Sequence, residues 1–169
     1  MKILIACYSH SANTKKLADT IAKIIKEESQ NAVVDFFYTE PEKAYSPNYS
    51  TVLNEAKRDI NSGYKPKLKN SIKSIEDYDI IFAGTPNWWN TMAPPLNTFL
   101  NSFDFSNKII MPFCTHGGGG CGSIKRDIEK ESKSKQVSKI LSVYGSSTAS
   151  AESEIRKWVK DIFLKIKYT

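Results

Sequence analysis

"KILIACYSHSANTKKLADTIAKII", Lys2 to Ile25, passes from a short apolar run through a cluster of hydroxyls and amides into a patterned helix. The run has the look of a strand buried on both faces, as in a parallel sheet. From Thr14 to Ser29, Leu17, Ala18, Ile21, Ala22 and Ile25 share one helical stripe, with Lys15, Lys16, Lys23 and Lys26 mostly elsewhere. The unit then repeats. "AVVDFFYT" (32–39), "YDIIFAGTP" (78–86), "KIIMPFCTHGGGG" (108–120) and "VSKILSVYG" (137–145) read as four further strands. Helices are expected over Val52–Asn61, Pro94–Phe103, Ser123–Glu131 and Ala151–Ile166. The last has a stripe of Ile155, Trp158, Val159, Ile162, Phe163 and Ile166. Strands and helices alternate five times. That order calls for an α/β fold, a parallel sheet covered by helices on both faces, because right-handed crossovers put them there. Thr39–Thr51 reads as a long polar loop, and the basic Tyr64–Ser74 stretch has no clear period.

The 169 residues suit a single domain, 1–169, able to bury a core without staples. An odd set of three cysteines, Cys7, Cys114 and Cys121, points to a reducing, cytoplasmic setting. The first apolar run is short and leads straight into a helix, so it reads as a core strand rather than an export signal. No run approaches the roughly 18 residues of a membrane span. The net charge of +6 spreads along helix faces and the 65–73 segment without a nucleic-acid motif, which points to a lysine-rich surface rather than to nucleic acid.

In such a sheet, ligands bind beyond the carboxyl ends of the strands. Three unusual loops converge there. "SHSANT" lies between strand and helix, where free N–H groups and a partial positive charge suit an anion. Ser9, Ser11 and Thr14 add hydroxyls and Asn13 an amide; His10 lies among them. Without a dinucleotide fingerprint or a lysine-bearing triphosphate loop, a monophosphate is the fitting anion. An ordinary helix cap by Ser11 or Asn13 is the alternative. "TPNWWNTM" carries adjacent tryptophans, Trp88 and Trp89; one can pack inward while the other offers a flat face to a planar ligand. Both rings covering helix packing is the alternative. In "THGGGGCG", glycines let backbone approach a ligand closely. The spacing of His116, Cys114 and Cys121 matches no standard zinc pattern, and no third group orients a Cys121–His116 nucleophile pair.

Together these loops resemble the flavodoxin-like family. Ser9, Ser11, Asn13 and Thr14 match its phosphate loop T/S-x-T-G-N-T, with Ala12 where the family usually has glycine. "GTPNWWNTMAPPL" resembles the G-x-P-I-W-W-G-x-x-P-x-P segment of a subgroup, with Asn87 and Asn90 as departures. "PFCTHGGGG" resembles that subgroup's P-F-x-T-H-G-G-G segment. The resemblance implies a doubly wound three-layer sandwich with a five-stranded parallel sheet of order 2-1-3-4-5, and FMN as cofactor. By position, Ser9, His10, Ser11, Ala12, Asn13 and Thr14 would hold the phosphate. Pro86, Asn87, Trp88, Trp89, Asn90 and Thr91 would flank the ring, and Thr115, His116, Gly117 and Gly118 would border its pyrimidine side. It implies electron transfer to partner proteins by a monomer or homodimer, or, as the alternative, FMN-dependent reduction of a quinone-like acceptor with NAD(P)H. Carriers of this type are acidic, and a +6 chain departs from that.

Overall fold

The computed structural model describes residues 1–167, with side chains through Leu164. Strand β1 (Lys2–Cys7) lies between β2 (Val33–Tyr38) and β3 (Ile80–Trp88), and β3 pairs on its other side with β5 (Ile109–His116), all parallel. The sheet order β2-β1-β3-β5 is completed at its edge by β6 (Gln136–Val137) and β7 (Leu141–Tyr144), both parallel to β5. In order of strands this is the expected 2-1-3-4-5 path, with two refinements.

The expected fifth strand is two pieces. Its register against β5 steps from Ile110↔Val137 to Phe113↔Leu141, so one extra residue is inserted between them. The reason lies next door. Ile110 accepts from the Ser138 N–H, so it points its backbone toward the edge, and Pro112, two residues on, points the same way without an N–H to give. Proline in a sheet is tolerated where the ladder is already interrupted. The second refinement is a two-residue strand, β4 (Thr91–Met92), folding back antiparallel on the end of β3.

Helices α1 (Asn13–Glu28) and α5 (Glu152–Lys167) cover one face over Ile3, Ile5, Phe82, Met111 and Phe113. Helices α3 (Pro94–Leu100) and α4 (Ile124–Ser132) cover the other over Leu4, Ala6, Ile81, Ala83 and Ile110. The alternation along β1 and β3 is the two-residue period of a strand buried on both faces. On α5, Ile155, Trp158, Val159 and Ile162 are buried and Phe163 packs against them; Ile166 lies outside the described side chains. At Gly84 on β3, a Cβ would come within 2.1 Å of the Phe113 ring and 2.8 Å of Cys7 Cβ, so no side chain fits there. Helix α2 (Tyr49–Ser62) begins earlier than expected, because Asn48 Oδ1 accepts from the Thr51 N–H at 3.1 Å and caps it. Helix α3 stops at Leu100, short of the expected Phe103. No described helix is long and apolar enough to cross a membrane.

Candidate functional site

A cleft of about 690 Å³ opens at the carboxyl ends of the strands. Of the residues expected there, His10, Ser11, Asn13, Pro86, Asn87, Trp88, Trp89, Thr115, His116 and Gly117 line it. Ser9, Ala12, Thr14, Asn90, Thr91 and Gly118 lie in the same loops but do not form its wall.

The first loop is built to leave donors free. The residue capping α1 is Ala12, in left-handed backbone at φ 67°, and no side chain caps the helix. The ordinary cap by Ser11 or Asn13 is therefore not used. Ser9 Oγ accepts from the Lys15 N–H at 3.2 Å, and the Ala12 carbonyl accepts the first helical bond from Lys16. Among the described residues, the amides of Ala12, Asn13 and Thr14 donate to nothing. No acidic residue occupies the first turn. Free amides at a helix start with the helix dipole behind them favour an anion. The buried Thr14 hydroxyl is bonded to the Thr115 hydroxyl at 2.8 Å, which joins this loop to the end of β5.

The tryptophan segment is a tight hairpin. Trp88 pairs with Thr91 across a two-residue turn whose central residues, Trp89 and Asn90, have φ of 50° and 70°. Two consecutive left-handed residues match the twist of paired strands, and asparagine tolerates that backbone where tryptophan seldom takes it. The turn is bolted down on every side. The Trp89 indole N–H donates to the Leu53 carbonyl of α2 at 2.9 Å, and Lys57 Nζ stands 4.8 Å over its ring. The Asn90 carbonyl accepts from the Ser123 N–H at 2.8 Å. The Thr91 and Ser123 hydroxyls both donate to Asp127 Oδ2, at 2.6 and 2.5 Å. Burial works to raise the Asp127 carboxyl, but those two hydroxyl bonds and Arg126 outweigh it and hold it below its ordinary value.

Trp88 sits edge-on among Tyr8, His10 and Tyr45, with centroids 5.4, 5.7 and 4.9 Å away. These T-shaped contacts suit the ring quadrupoles and fix the indole plane. Tyr45 donates to Asp59 Oδ2 at 2.9 Å, and His10 Nε2 donates to the Ser46 carbonyl at 2.9 Å, so the Thr39–Thr51 segment packs onto the cleft wall. Burial pushes the Tyr8 and Tyr45 hydroxyls well above the usual phenol range, and the Asp59 carboxylate pushes Tyr45 further; both stay neutral.

In the glycine loop, Asn87 Nδ2 donates to the Gly120 carbonyl at 2.6 Å, leaving Asn87 Oδ1 buried without a partner. His116 Nδ1 accepts from the Gly118 N–H at 3.0 Å, so a neutral ring carries its proton on Nε2. The loop after β7 completes this side with Tyr144, Gly145 and Ser146. A Cβ at Gly145 would meet Asn13 Nδ2 at 2.8 Å, so this glycine makes room for the Asn13 amide.

Tyr144 to Ser146, and Tyr49, Val52, Leu53 and Ala56 of α2, line the cleft without having been read from sequence as site residues. A signal existed for each. Tyr144 ends a predicted strand and so lies on the ligand edge, while 49, 52, 53 and 56 have the spacing of one helical stripe. Among the described residues, the lining holds no Asp, Glu, Lys or Arg. The donor set fits a phosphate carrying a planar aromatic group: free helix amides at one end, aromatic and aliphatic walls at the other, and a volume in the usual range for a bound cofactor.

No curated protein sequence matches the chain. Among solved structures it resembles a candidate flavoprotein from Bacteroides eggerthii DSM 20697, at TM-score 0.78 and 23% identity over 95% of this chain and 97% of that one. It also resembles a flavoprotein in complex with FMN from Lactobacillus acidophilus NCFM (TM-score 0.64, 21% identity, 90% and 98% covered). A third is an NADH:FMN oxidoreductase in its apo form (TM-score 0.66, 15% identity, 97% and 89% covered). These likenesses show the fold. The family profile described as Flavodoxin matches residues 2–162, nearly the whole chain, and the protein belongs to the flavodoxin family.

Proposed function

We propose that this protein binds FMN and transfers electrons through it. The observation that carries the reading is the joining, in one cleft, of unpartnered α1 amides with aromatic walls. The Ala12, Asn13 and Thr14 amides, with the Ser11 and Ser146 hydroxyls at hand, would take the phosphate. Trp88, Trp89 and Tyr144 would supply aromatic faces to the ring, and the 115–118 backbone its polar edge. Bound FMN supplies one- and two-electron redox chemistry, and the protein tunes it by stacking, hydrogen bonds and charge. Here no lining carboxylate opposes added negative charge, and Lys57 stands at the rim beside Trp89. The potential of bound FMN is therefore expected to fall as salt screens this surface.

The test is a titration of FMN fluorescence with protein, repeated with riboflavin. Quenching by both, with FMN held at least tenfold more tightly, is expected from charge-assisted bonds to its phosphate. Absence of quenching at micromolar protein overturns the reading, and equal affinities overturn the role of the α1 amides. Three free thiols support a reducing compartment such as the cytoplasm as its setting.

A second reading is an FMN-dependent reductase that takes electrons from NAD(P)H and passes them to a small planar acceptor. It is favoured by the rim, where Tyr49, Tyr144 and Trp89 are 77%, 49% and 48% exposed around the cleft. Rapid mixing of the FMN-loaded protein with NADH or NADPH separates the two. Bleaching of the flavin within seconds supports the reductase, and a flavin still oxidised after minutes supports a carrier served by partner proteins.

A further inference from the structure

The two edges of the sheet are finished differently. One ends in β6 and β7, short pieces with a step in register between them, and so offers no continuous strand to a neighbour. The other ends in β2, whose residues Val33–Tyr38 pair one for one with β1 without a bulge. The Val33 and Thr39 N–H groups donate to the Met1 and Cys7 carbonyls, so the odd-numbered residues turn their backbone toward β1. Strand alternation then turns the N–H and C=O groups of Val34, Phe36 and Tyr38 outward. Among the described residues these groups have no backbone partner, except the Tyr38 carbonyl, which accepts from the Glu40 N–H at 2.9 Å. Native sheets blunt such an edge with lysine, proline or a bulge. "VVDFFY" has none of these, and its one charge is Asp35. Val33 and Phe36 are 55% and 37% exposed, and the Phe36 ring stacks on Tyr38 with centroids 5.9 Å apart.

We propose that β2 is the interface of a homodimer, pairing antiparallel with β2 of a second copy about a two-fold axis at Phe36. A closed pair of identical chains requires the antiparallel arrangement. The free groups and the single charge then fix the register. An axis at Asp35 would set two carboxylates directly opposite, with Cα atoms about 4.5 Å apart, which like charges oppose. An axis at Phe36 sets Asp35 opposite Phe37 of the second copy instead. It also lets each Phe36 N–H donate to the opposing Phe36 carbonyl and each Tyr38 N–H to the opposing Val34 carbonyl, all groups that are now free. An axis at Val34 or Phe37 satisfies fewer of them. On the α1 face, Phe36 then meets Phe36 and Val34 meets Tyr38, apolar and aromatic pairs of the kind that stabilise adjacent strands. The second sheet runs the opposite way, so the two clefts open at opposite ends of the joined sheet and neither is covered. One strand a side is a small interface, and the pair should separate on dilution through the micromolar range.

The test is sedimentation velocity of the full-length chain from low to high micromolar concentration, with amide hydrogen exchange resolved by NMR at both ends of that range. The expected mass rises from one chain to two. The Val34, Phe36 and Tyr38 amides should exchange about tenfold more slowly in the concentrated sample than in the dilute one. Phe36→Lys sets two like charges across the axis and should stay a single chain throughout, with the circular dichroism of wild type. A wild-type chain that stays single at high micromolar concentration leaves the edge to a strand of some other protein and overturns the proposal. Association that leaves those three amides fast places the contact elsewhere and also overturns it, as does a folded Phe36→Lys that still pairs. Should Phe36→Lys not fold, the wild-type amides decide alone.

Discussion

The loop before α1 and the hairpin after β3 both hold a non-glycine residue in left-handed backbone where related motifs place glycine, and they treat it in opposite ways. Asn90 is gripped through its carbonyl by Ser123 and flanked by the Thr91–Asp127 and Trp89–Leu53 bonds. Ala12 has no side-chain bond, and its neighbouring amides donate to nothing among the described residues. The hairpin spends its polar groups on holding a wall in place. The first loop keeps its groups free and holds its shape through Ser9, the start of α1 and the Thr14–Thr115 bond. A binding element and a supporting element thus differ in where their hydrogen bonds go, although the backbone strain is of the same kind.

If the hairpin is held from the α4 side, Gly122 is its tightest point. A Cβ there would come within 2.5 Å of the Asn90 carbonyl oxygen, and its φ is 50°. Gly122→Ala should cost roughly 2–4 kcal/mol, from left-handed strain added to overpacking against backbone. The midpoint of urea unfolding measures this, and a change under 0.5 kcal/mol would break the picture of a bolted turn.

Asp127→Ala should rank next. Removing the carboxylate leaves two half-buried hydroxyls without their charged acceptor, a loss of about 2 kcal/mol. The same group gives the contrast a pH signature. Its folded carboxyl is held below the ordinary value, so the unfolded chain binds the proton more readily. The stability it contributes is complete above about pH 4 and is lost as pH falls through the lower folded value. Asp127→Asn should flatten the acid side of the stability–pH profile. A profile parallel to wild type would show that the hydroxyl bonds add nothing.

Both regions were legible in sequence to different depths. Buried strands announce themselves as apolar runs, so β1, β3 and β5 and the loops beyond them followed from Lys2–Cys7, Tyr78–Pro86 and Lys108–Gly120. The break between β6 and β7 did not, because its cause, Pro112, sits on the neighbouring strand and acts through the ladder. The α2 wall was missed for a local reason. Tyr49 is embedded in "SPNYST", where hydroxyl and amide residues compete with helix, and it takes the Asn48 cap to start the helix at Tyr49. The glycine departures were visible as letters, but only the backbone shows that Asn90 and Ala12 both sit at positive φ and that Trp89 shares it.

Asn90 itself tests how much of the wall depends on side-chain identity. Asparagine tolerates left-handed backbone better than alanine does, so Asn90→Ala should cost about 1 kcal/mol and Asn90→Gly close to nothing. A larger loss in the glycine variant than in the alanine variant, read from urea midpoints, would show that the Asn90 amide and not its backbone holds the turn.

Ala12→Gly is the smallest change and the sharpest comparison. At φ 67° an alanine carries roughly 1–2 kcal/mol of strain that glycine does not. Glycine also loosens the unfolded chain, which offsets about 0.4–1 kcal/mol of that relief. The expected net is a gain of about 0.5–1 kcal/mol in unfolding free energy. Because the free amides belong to the backbone and Ala12 offers no side-chain contact, FMN affinity should stay within about twofold, below 0.5 kcal/mol. Ser11→Ala removes a hydroxyl at the cleft and leaves the backbone alone, so it should do the reverse: little change in stability and weaker binding of FMN than of riboflavin. If Ala12→Gly instead loosens FMN strongly, the left-handed alanine is what sets the amides in place, and the loop is preorganised by strain in the way the hairpin is preorganised by bonds.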